Sequence, residues 1–474
     1  MTDLDLIVIG AGPAGASAAL EAHRLGLRCL LVDEAPSAGG QVWRAPPRGF
    51  VRRKADVDAR AGDRLRAALA ASGVRVAFEH PVWLITDGFR IEAVGPAGPV
   101  TWRTPAIVAA TGASERVVPF PGWTEPGVIG LAGATILLKA QQVLAGERAL
   151  VAGCGPLLPA VAAGVLKAGG AIEAIVDLAS RRDWLAVLPA MLTRPDLLGR
   201  GLGWLAQLCR AGVTVHYRHA LRRIVRTEGG LRATIALVDD SGAFVSGAGS
   251  REFEVDWVAV GHGLVPGTDI TRLLGAEHRY EHDRGGWIAI RDEFGRTSVK
   301  GLLVAGDGGG IRGAAAAVEE GRLAGLAVAY DQGRLDDAAF ARAARPIRRR
   351  MRRAAHFGAA SARLMALRPG QVGTIPQETL VCRCEDVTRA EVERAIAAGA
   401  DELNQLKAWT RCGMGPCQGR MCGETAAALV AAVSGSRAAA GFWTGRAPLR
   451  PVPLDVLLGD YAYADMPLPR AAPL

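Results

Sequence analysis

The ten residues Leu6-Ile7-Val8-Ile9-Gly10-Ala11-Gly12-Pro13-Ala14-Gly15 constrain this chain more than any other stretch. Four apolar, mostly β-branched residues predict a buried parallel strand. G-x-G-x-x-G follows, then small residues at helical spacing from Ala16 to Leu25. Gly10 permits a tight turn, Gly12 lets a pyrophosphate approach the backbone, and Gly15 lets the helix lie close to the strand. The helix N-terminus, at Pro13 and Ala14, then offers free N–H groups and a partial positive charge to phosphates. A second strand, Cys29-Leu30-Leu31-Val32, ends at Asp33 and Glu34. Asp33 follows Gly15 by 18 residues, where a carboxylate accepts hydrogen bonds from an adenosine ribose. Strand, turn, helix, second strand and acid together predict a dinucleotide site.

The chain has 474 residues, enough for about three domains. Hydrophobic residues make up 50% and charged residues 22%, as in a globular protein with a large core. The net charge of +9 owes much to the run 345–353. Aromatic residues are absent from that run, so nucleic acid is excluded and a solvated helix, a linker or an acidic partner surface is expected. The stretch 48–54 is expected on the surface. No signal peptide is expected ahead of the first strand. The longest uncharged run, 149–166, holds Gly153, Gly155, Pro156 and Pro159, so a buried element is expected rather than a membrane span. A soluble, cytoplasmic protein follows, with peripheral membrane attachment through an electron acceptor as an alternative.

Further along, Gly39-Gly40-Gln41 marks a loop and 56–72 a helix. Strands are expected at 74–78 and 82–85, a hairpin at 89–94 and 100–103, and a buried strand at 106–110 ending in Thr111-Gly112-Ala113. A second unit of the opening kind follows. Its strand is 149–152, its turn Gly153-Cys154-Gly155-Pro156-Leu157-Leu158, its helix 159–168, and its next strand 172–176 ends at Asp177. Leu158 stands where the third glycine belongs, so the helix is expected farther from its strand. A degenerate nucleotide site at Gly153, Gly155, Pro156 and Asp177 and a structural remnant both remain open. Residues 180–210 read as helical. Strands are expected at 213–217, 231–238, 253–260 and 287–291. His262 fits either a structural role or acid–base chemistry. A strand then runs into Gly306-Asp307 ahead of a helix at 312–332. An acid there binds a ribityl-like polar chain or caps the helix.

This ordered set resembles the pyridine nucleotide–disulfide reductase-like flavoproteins over roughly 1–335. The resemblance implies that Gly10, Gly12, Gly15, Asp33, Gly40, Gln41, Thr111, Gly112, Gly306 and Asp307 contact FAD, with Val82 at the adenine and NAD(P), another adenine nucleotide or nothing on the second fold. No C-x-x-C or C-x4-C lies in either fold, so a disulfide reductase is not expected.

Cys29, Cys154 and Cys209 read as buried thiols. The other five cysteines fall between 382 and 422, which suggests metal. Cys382-Arg383-Cys384 precedes a helix capped by Thr388 and Glu391 and ended by Gly399. A second helix, 402–409, leads to Cys412, Cys417 and Cys422. Four thiolates suit zinc or an iron–sulfur cluster, and the spacing, with a flavin nearby, favours the cluster. The segment resembles the bacterioferritin-associated ferredoxin-like [2Fe–2S] domain, with C-x4-C in place of its usual C-x2-C. That resemblance implies Cys382, Cys384, Cys417 and Cys422 as ligands and leaves Cys412 out.

Nearly end to end, the chain resembles the α (A or B) subunits of heteromeric amino-acid and opine dehydrogenases: opine oxidases, hydrogen cyanide synthase, and proline or hydroxyproline dehydrogenases. The resemblance implies an FAD/FMN-dependent D-amino-acid-oxidase-like β subunit that oxidises the C–N bond. It also implies a further partner of small, ferredoxin-like type and a small-molecule electron acceptor. This chain would carry electrons, and no catalytic residue is assigned to it. The expected fold is α/β: a split FAD domain (1–115 and 265–335), a second Rossmann-like domain (116–264), a basic helical linker (336–377), a small α-helical [2Fe–2S] domain (378–430) and a tail (431–474). The alternatives are a self-contained NAD(P)H-dependent FAD/iron–sulfur reductase and a non-catalytic assembly subunit.

Overall fold

The computed structural model describes residues 4–47, 49–50 and 56–458. Arg48 and residues 51–54 of the expected basic surface stretch, and the tail beyond 458, lie outside the described residues.

Two parallel five-stranded sheets organise the chain. The first runs in the order Leu302–Val304, Ile107–Ala109, Leu6–Ile9, Cys29–Val32, Arg75–Ala77. Its central strands are buried on both faces, which is why they read as continuous apolar runs. The opening helix Pro13–Arg24 packs on the later helix Ala314–Asp331. A Cβ on Gly321 would lie 1.9 Å from the Ala14 carbonyl oxygen, and one on Gly325 would lie 2.4 Å from that of Ala18. Glycine on one helix and alanine on the other let the two backbones meet, and this brings Gly306-Asp307 back to the first glycine turn.

The second sheet runs Thr214–Tyr217, Ala171–Asp177, Arg148–Gly153, Trp257–Gly261, Val128–Gly130. The uncharged run 149–166 forms its central strand and the following helix Leu157–Lys167. Among the described residues no helix is long and apolar enough to cross a membrane. Three-stranded antiparallel sheets flank both units: Val82–Thr86, Arg90–Gly95 and Gly98–Arg103 beside the first, and His219–Thr227, Gly230–Leu237 and Ser250–Val255 beside the second.

Several expectations need correction. The single strand expected at 253–260 is two. Ser250–Val255 pairs antiparallel and Trp257–Gly261 joins the parallel sheet. Asp256 breaks the run by turning back to accept from the amides of Glu147 and Arg148 at 3.0 and 2.8 Å. The helical stretch 180–210 is two helices, Arg181–Met191 and Pro195–Arg210, because Pro195 cannot continue the first. Cys209 is exposed rather than buried, since it lies on the outer face of the second of these helices. The basic run 345–353 lies within one long helix, Asp337–Leu364. Arg348 and Arg350 on it pair with Glu293 and Glu319, and Ala344 and Ile347 pack on Leu323 and Leu326.

The cysteine-bearing segment folds as a short hairpin, Leu380–Cys382 with Val387–Thr388, and helices Arg389–Ala397, Leu403–Thr410 and Gly423–Ser434. Thr388 and Glu391 form the expected capping box. Val381, Val392, Leu406, Ala426 and Val430 build a small core that Val118, Leu367 and Val372 share. It is anchored to the rest of the chain by named bonds: Trp123 Nε1 donates to the Leu380 carbonyl at 2.9 Å, Thr425 Oγ1 to that of Val117 at 3.1 Å, and Arg420 pairs with Asp269 at 2.8 Å.

Candidate functional site

One large cavity, about 1140 Å³, lies between the first sheet's glycine turn and the cysteine-bearing segment. That exceeds the usual few hundred to about 1,000 Å³ of a single small-molecule site. Gly10, Gly12, Pro13, Ala14, Asp33, Glu34, Gly40, Gln41, Val82, Thr111, Gly112, Gly306 and Asp307 all line it. Gly15 does not line the cavity. A Cβ there would lie 1.7 Å from the Gly10 carbonyl oxygen, so Gly15 sets how closely the helix approaches the strand.

The turn is shaped for a phosphate-bearing ligand. Gly10 has φ +102°, and a Cβ on it would lie 2.4 Å from the Ala110 carbonyl oxygen. Gly40 meets Gly12 backbone to backbone, with its ideal Cβ 2.9 Å from the Gly12 Cα. The helix at Pro13 has no side-chain cap, so its first amides are free to meet an anion. The Asp33 carboxylate accepts from the amides of Ala11 and Ala35, and burial raises its pKa. Asp307 uses Oδ1 to accept from the amides of Arg312 and Gly313 at 2.8 and 2.9 Å, which leaves Oδ2 for a ligand hydroxyl. Burial pushes its pKa up as well.

The opposite wall was not read from the sequence. Arg272 lies over the Phe442 ring at 4.3 Å, and its buried Nε has no hydrogen-bond partner among the described residues; burial lowers its pKa to about 10. Trp443 Nε1 is likewise buried and without a partner among the described residues. Both residues line the cavity. The Arg272 guanidinium adds positive charge to this wall, which suits an anionic ligand. Glu115, also on the wall, accepts from the Ala132 amide, and burial raises its pKa to about 7. The cradle fits FAD in donors, acceptors and size.

Trp443 also connects the cavity to the cysteines. Gly413, Gly419 and Gly423 each face its indole, and a Cβ on Gly419 would lie 2.3 Å from its Nε1. Gly415 faces Cys384, with 2.2 Å from its ideal Cβ to the Cys384 Cβ. The glycine spacing between Cys412 and Gly423 was the only signal of this wall in the sequence. Around it, Cys382, Cys412 and Cys422 are buried, with their Sγ atoms all within 4.8 Å of one another. Hydrogen bonds from Cys412 and then Cys422 hold the Cys382 thiol far below its ordinary pKa. Cys384 and Cys417, both half-buried, lie within hydrogen-bonding reach of each other. The implied ligand set thus falls into an inner group and an outer pair, and Cys412, which the resemblance left out, stands in the inner group. Cysteine sulfurs gathered so closely fit a group bound by four thiolates.

The second glycine turn differs. Leu158 is fully buried in the core with Val151 and Val161. A Cβ on Gly155 would lie 2.5 Å from Met365 Cγ, at the end of the long helix, so Met365 covers the turn. Asp177 is buried and its two oxygens accept from the Ala179 amide and from Trp184 Nε1, both at 2.9 Å; burial raises its pKa to about 6. Gly153, Gly155, Pro156 and Asp177 do not line the large cavity. His262 does not line it either. Its Nδ1 meets the Gln371 amide at 3.1 Å, and burial beside Arg116 lowers its pKa to about 4.

Residues 4–321 match the family described as pyridine nucleotide-disulphide oxidoreductase, and residues 377–460 match the sarcosine oxidase A3 domain. The chain is 36% identical to the A subunit of opine oxidase from Rhizobium meliloti (strain 1021), covering 95% of this chain and 97% of that one. It is 32% identical to the HcnB subunit of hydrogen cyanide synthase from Pseudomonas aeruginosa, over 94% and 97% of the two chains. The fold is similar to the crystal structure of L-proline dehydrogenase from P. horikoshii, with a TM-score of 0.65 and 20% identity over 96% of this chain and 79% of that one.

Proposed function

The chain belongs to the pyridine nucleotide-disulphide oxidoreductase family, and from that premise we propose that it is the electron-carrying flavoprotein subunit of a heteromeric amino-acid or opine dehydrogenase. A D-amino-acid-oxidase-like partner would oxidise the C–N bond. This chain would take the electrons through FAD on the first fold and a [2Fe–2S] centre held by Cys382, Cys384, Cys417 and Cys422.

The observation that carries the reading is the shared cavity. The first glycine turn forms one side, and Gly413, Met414, Gln418 and Gly419, which flank the cysteines, form the other. When bound, FAD exchanges two electrons and a [2Fe–2S] cluster one at a time. The chain's own residues do the rest. Asp33 would accept hydrogen bonds from ribose hydroxyls, the uncapped amides after Gly12 would meet the pyrophosphate, and Asp307 Oδ2 would accept from the ribityl chain. Glu115, with its pKa near 7, holds or releases a proton at its carboxylate beside the cavity. Trp443 lies between the cavity and the glycines of the cysteine loop.

The covered second turn favours this reading over a self-contained NAD(P)H reductase, because a nicotinamide nucleotide at Gly155 would have to displace Met365. The test is to purify the chain alone and with an amine-oxidising partner. Bound FAD and iron are expected in both, with flavin reduction by an amino acid or opine only when the partner is present. A colourless, iron-free chain, or rapid bleaching of the isolated chain by NADH, overturns the proposal.

A further inference from the structure

The cysteine centre holds one thiol more than a four-thiolate group uses, and the five are not equivalent. Cys384 and Cys417 form a half-buried outer pair. Cys382, Cys412 and Cys422 form a buried inner group, each Sγ within 4.8 Å of the other two. A buried thiol by itself reads as a small apolar side chain. Cys412 is placed more deliberately than that. Its amide donates to Thr410 Oγ1 at 3.2 Å, and it sits between Arg411 at φ +63° and Gly413 at φ +89°. Arg411 pairs with Glu385 at 2.7 Å, which ties the Cys412 loop to the C-x-C hairpin. The chain thus adopts left-handed backbone on both sides of Cys412 while its sulfur points at two ligand sulfurs.

Each iron of a [2Fe–2S] group takes two bridging sulfides and two thiolates. The outer pair supplies two thiolates, and any two of the inner three supply the others. We propose that Cys412 is a reserve ligand for the inner iron, able to replace Cys422 or Cys382, whereas nothing replaces Cys384 or Cys417. This rests on the [2Fe–2S] reading given above. The exchange balances without redox chemistry. The iron–sulfur bond to the missing residue is absent, the Cys412 S–H gives its proton to solvent, and its sulfur makes the fourth iron–thiolate bond. The cluster keeps its charge and oxidation state.

The test measures iron per chain and the electron paramagnetic resonance spectrum of the reduced full-length protein in single alanine variants. Alanine is used because a serine oxygen can itself bind iron. Wild type is expected to hold about two irons per chain. Cys422→Ala and Cys382→Ala are each expected to keep at least about half of that, with shifted g-values from the changed ligand geometry. Cys417→Ala and Cys384→Ala should lose nearly all of it. Cys412→Ala alone should keep its iron, and Cys412→Ala combined with Cys422→Ala should lose it. Circular dichroism of each variant separates loss of iron from loss of fold, and the Cys382 and Cys422 variants are independent routes to the same outcome. If Cys422→Ala and Cys382→Ala lose iron as completely as Cys417→Ala, the reserve role is wrong. If Cys412→Ala alone strips the iron, Cys412 is a principal ligand and the proposal fails. Zinc or no metal in wild type defeats the cluster reading itself, a different result from either.

Discussion

The two glycine turns start from nearly the same sequence pattern and end in opposite states. In the first, Gly15 lets the helix touch the strand, the helix begins immediately after Gly12, and Asp33 stands on a cavity. In the second, Leu158 fills the helix–strand gap with side chain, the helix begins only at Leu157, Asp177 is satisfied internally by Trp184, and Met365 lies over Gly155. The first turn opens on the large cavity, and the second packs against Met365.

Substitutions at matched positions can break this contrast. Gly15→Val is expected to have the largest effect, because its Cβ meets backbone that cannot yield. A loss of more than about 4 kcal/mol, with no flavin-bearing soluble protein, is expected; recovery of normal yellow protein would contradict the close helix–strand contact. Leu158→Ala, at the equivalent place, should cost about 3 kcal/mol in chemical denaturation through lost burial and a cavity, with full flavin content. Loss of flavin there would make the second fold part of the site.

The acids sharpen the contrast further. Burial raises Asp177 to about 6, above its unfolded value of about 4. Its folded form therefore holds a proton that the unfolded chain has lost, so stability falls as pH rises from about 4 to about 6, by at most about 3 kcal/mol. Asp177→Asn is expected to flatten that part of the denaturation-versus-pH curve and to leave FAD affinity unchanged. Asp33→Asn should weaken FAD binding about 10- to 100-fold, the worth of a hydrogen bond to a charged group. Equal effects of the two asparagines on flavin titration would erase the distinction. The smallest expected signal is from NADH. Anaerobic addition to the isolated chain should leave the flavin spectrum unchanged over minutes, and bleaching would show that Met365 yields.

Much of the first fold was legible because its determinants are local. Apolar runs, glycine offsets and an acid at a fixed distance are all properties of a short window. The same holds for the capping box at Thr388. What the sequence concealed depends on partners far away in the chain. Met365 covers Gly155 from a helix whose basic composition suggested a linker. Arg272 and Trp443, 171 residues apart in the chain, line the same cavity, and neither carries a spacing signal. Cys412 was set aside by a family pattern that does not include it, and the fold brings it to Cys382 and Cys422 through a loop conformation that spacing does not encode. The break at Asp256 is of the same kind, since the residue that ends one strand does so by bonding to another.

The central claim is that one cavity joins a flavin on the first glycine turn to a thiolate-bound iron–sulfur centre. Stepwise anaerobic reduction of the purified chain, followed by visible absorbance and electron paramagnetic resonance on the same sample, tests it most directly. Uptake of about three electrons per chain is expected, two bleaching the flavin and one raising a [2Fe–2S] signal. A sample that takes up only two electrons with no iron signal, or none with no flavin band, would contradict it.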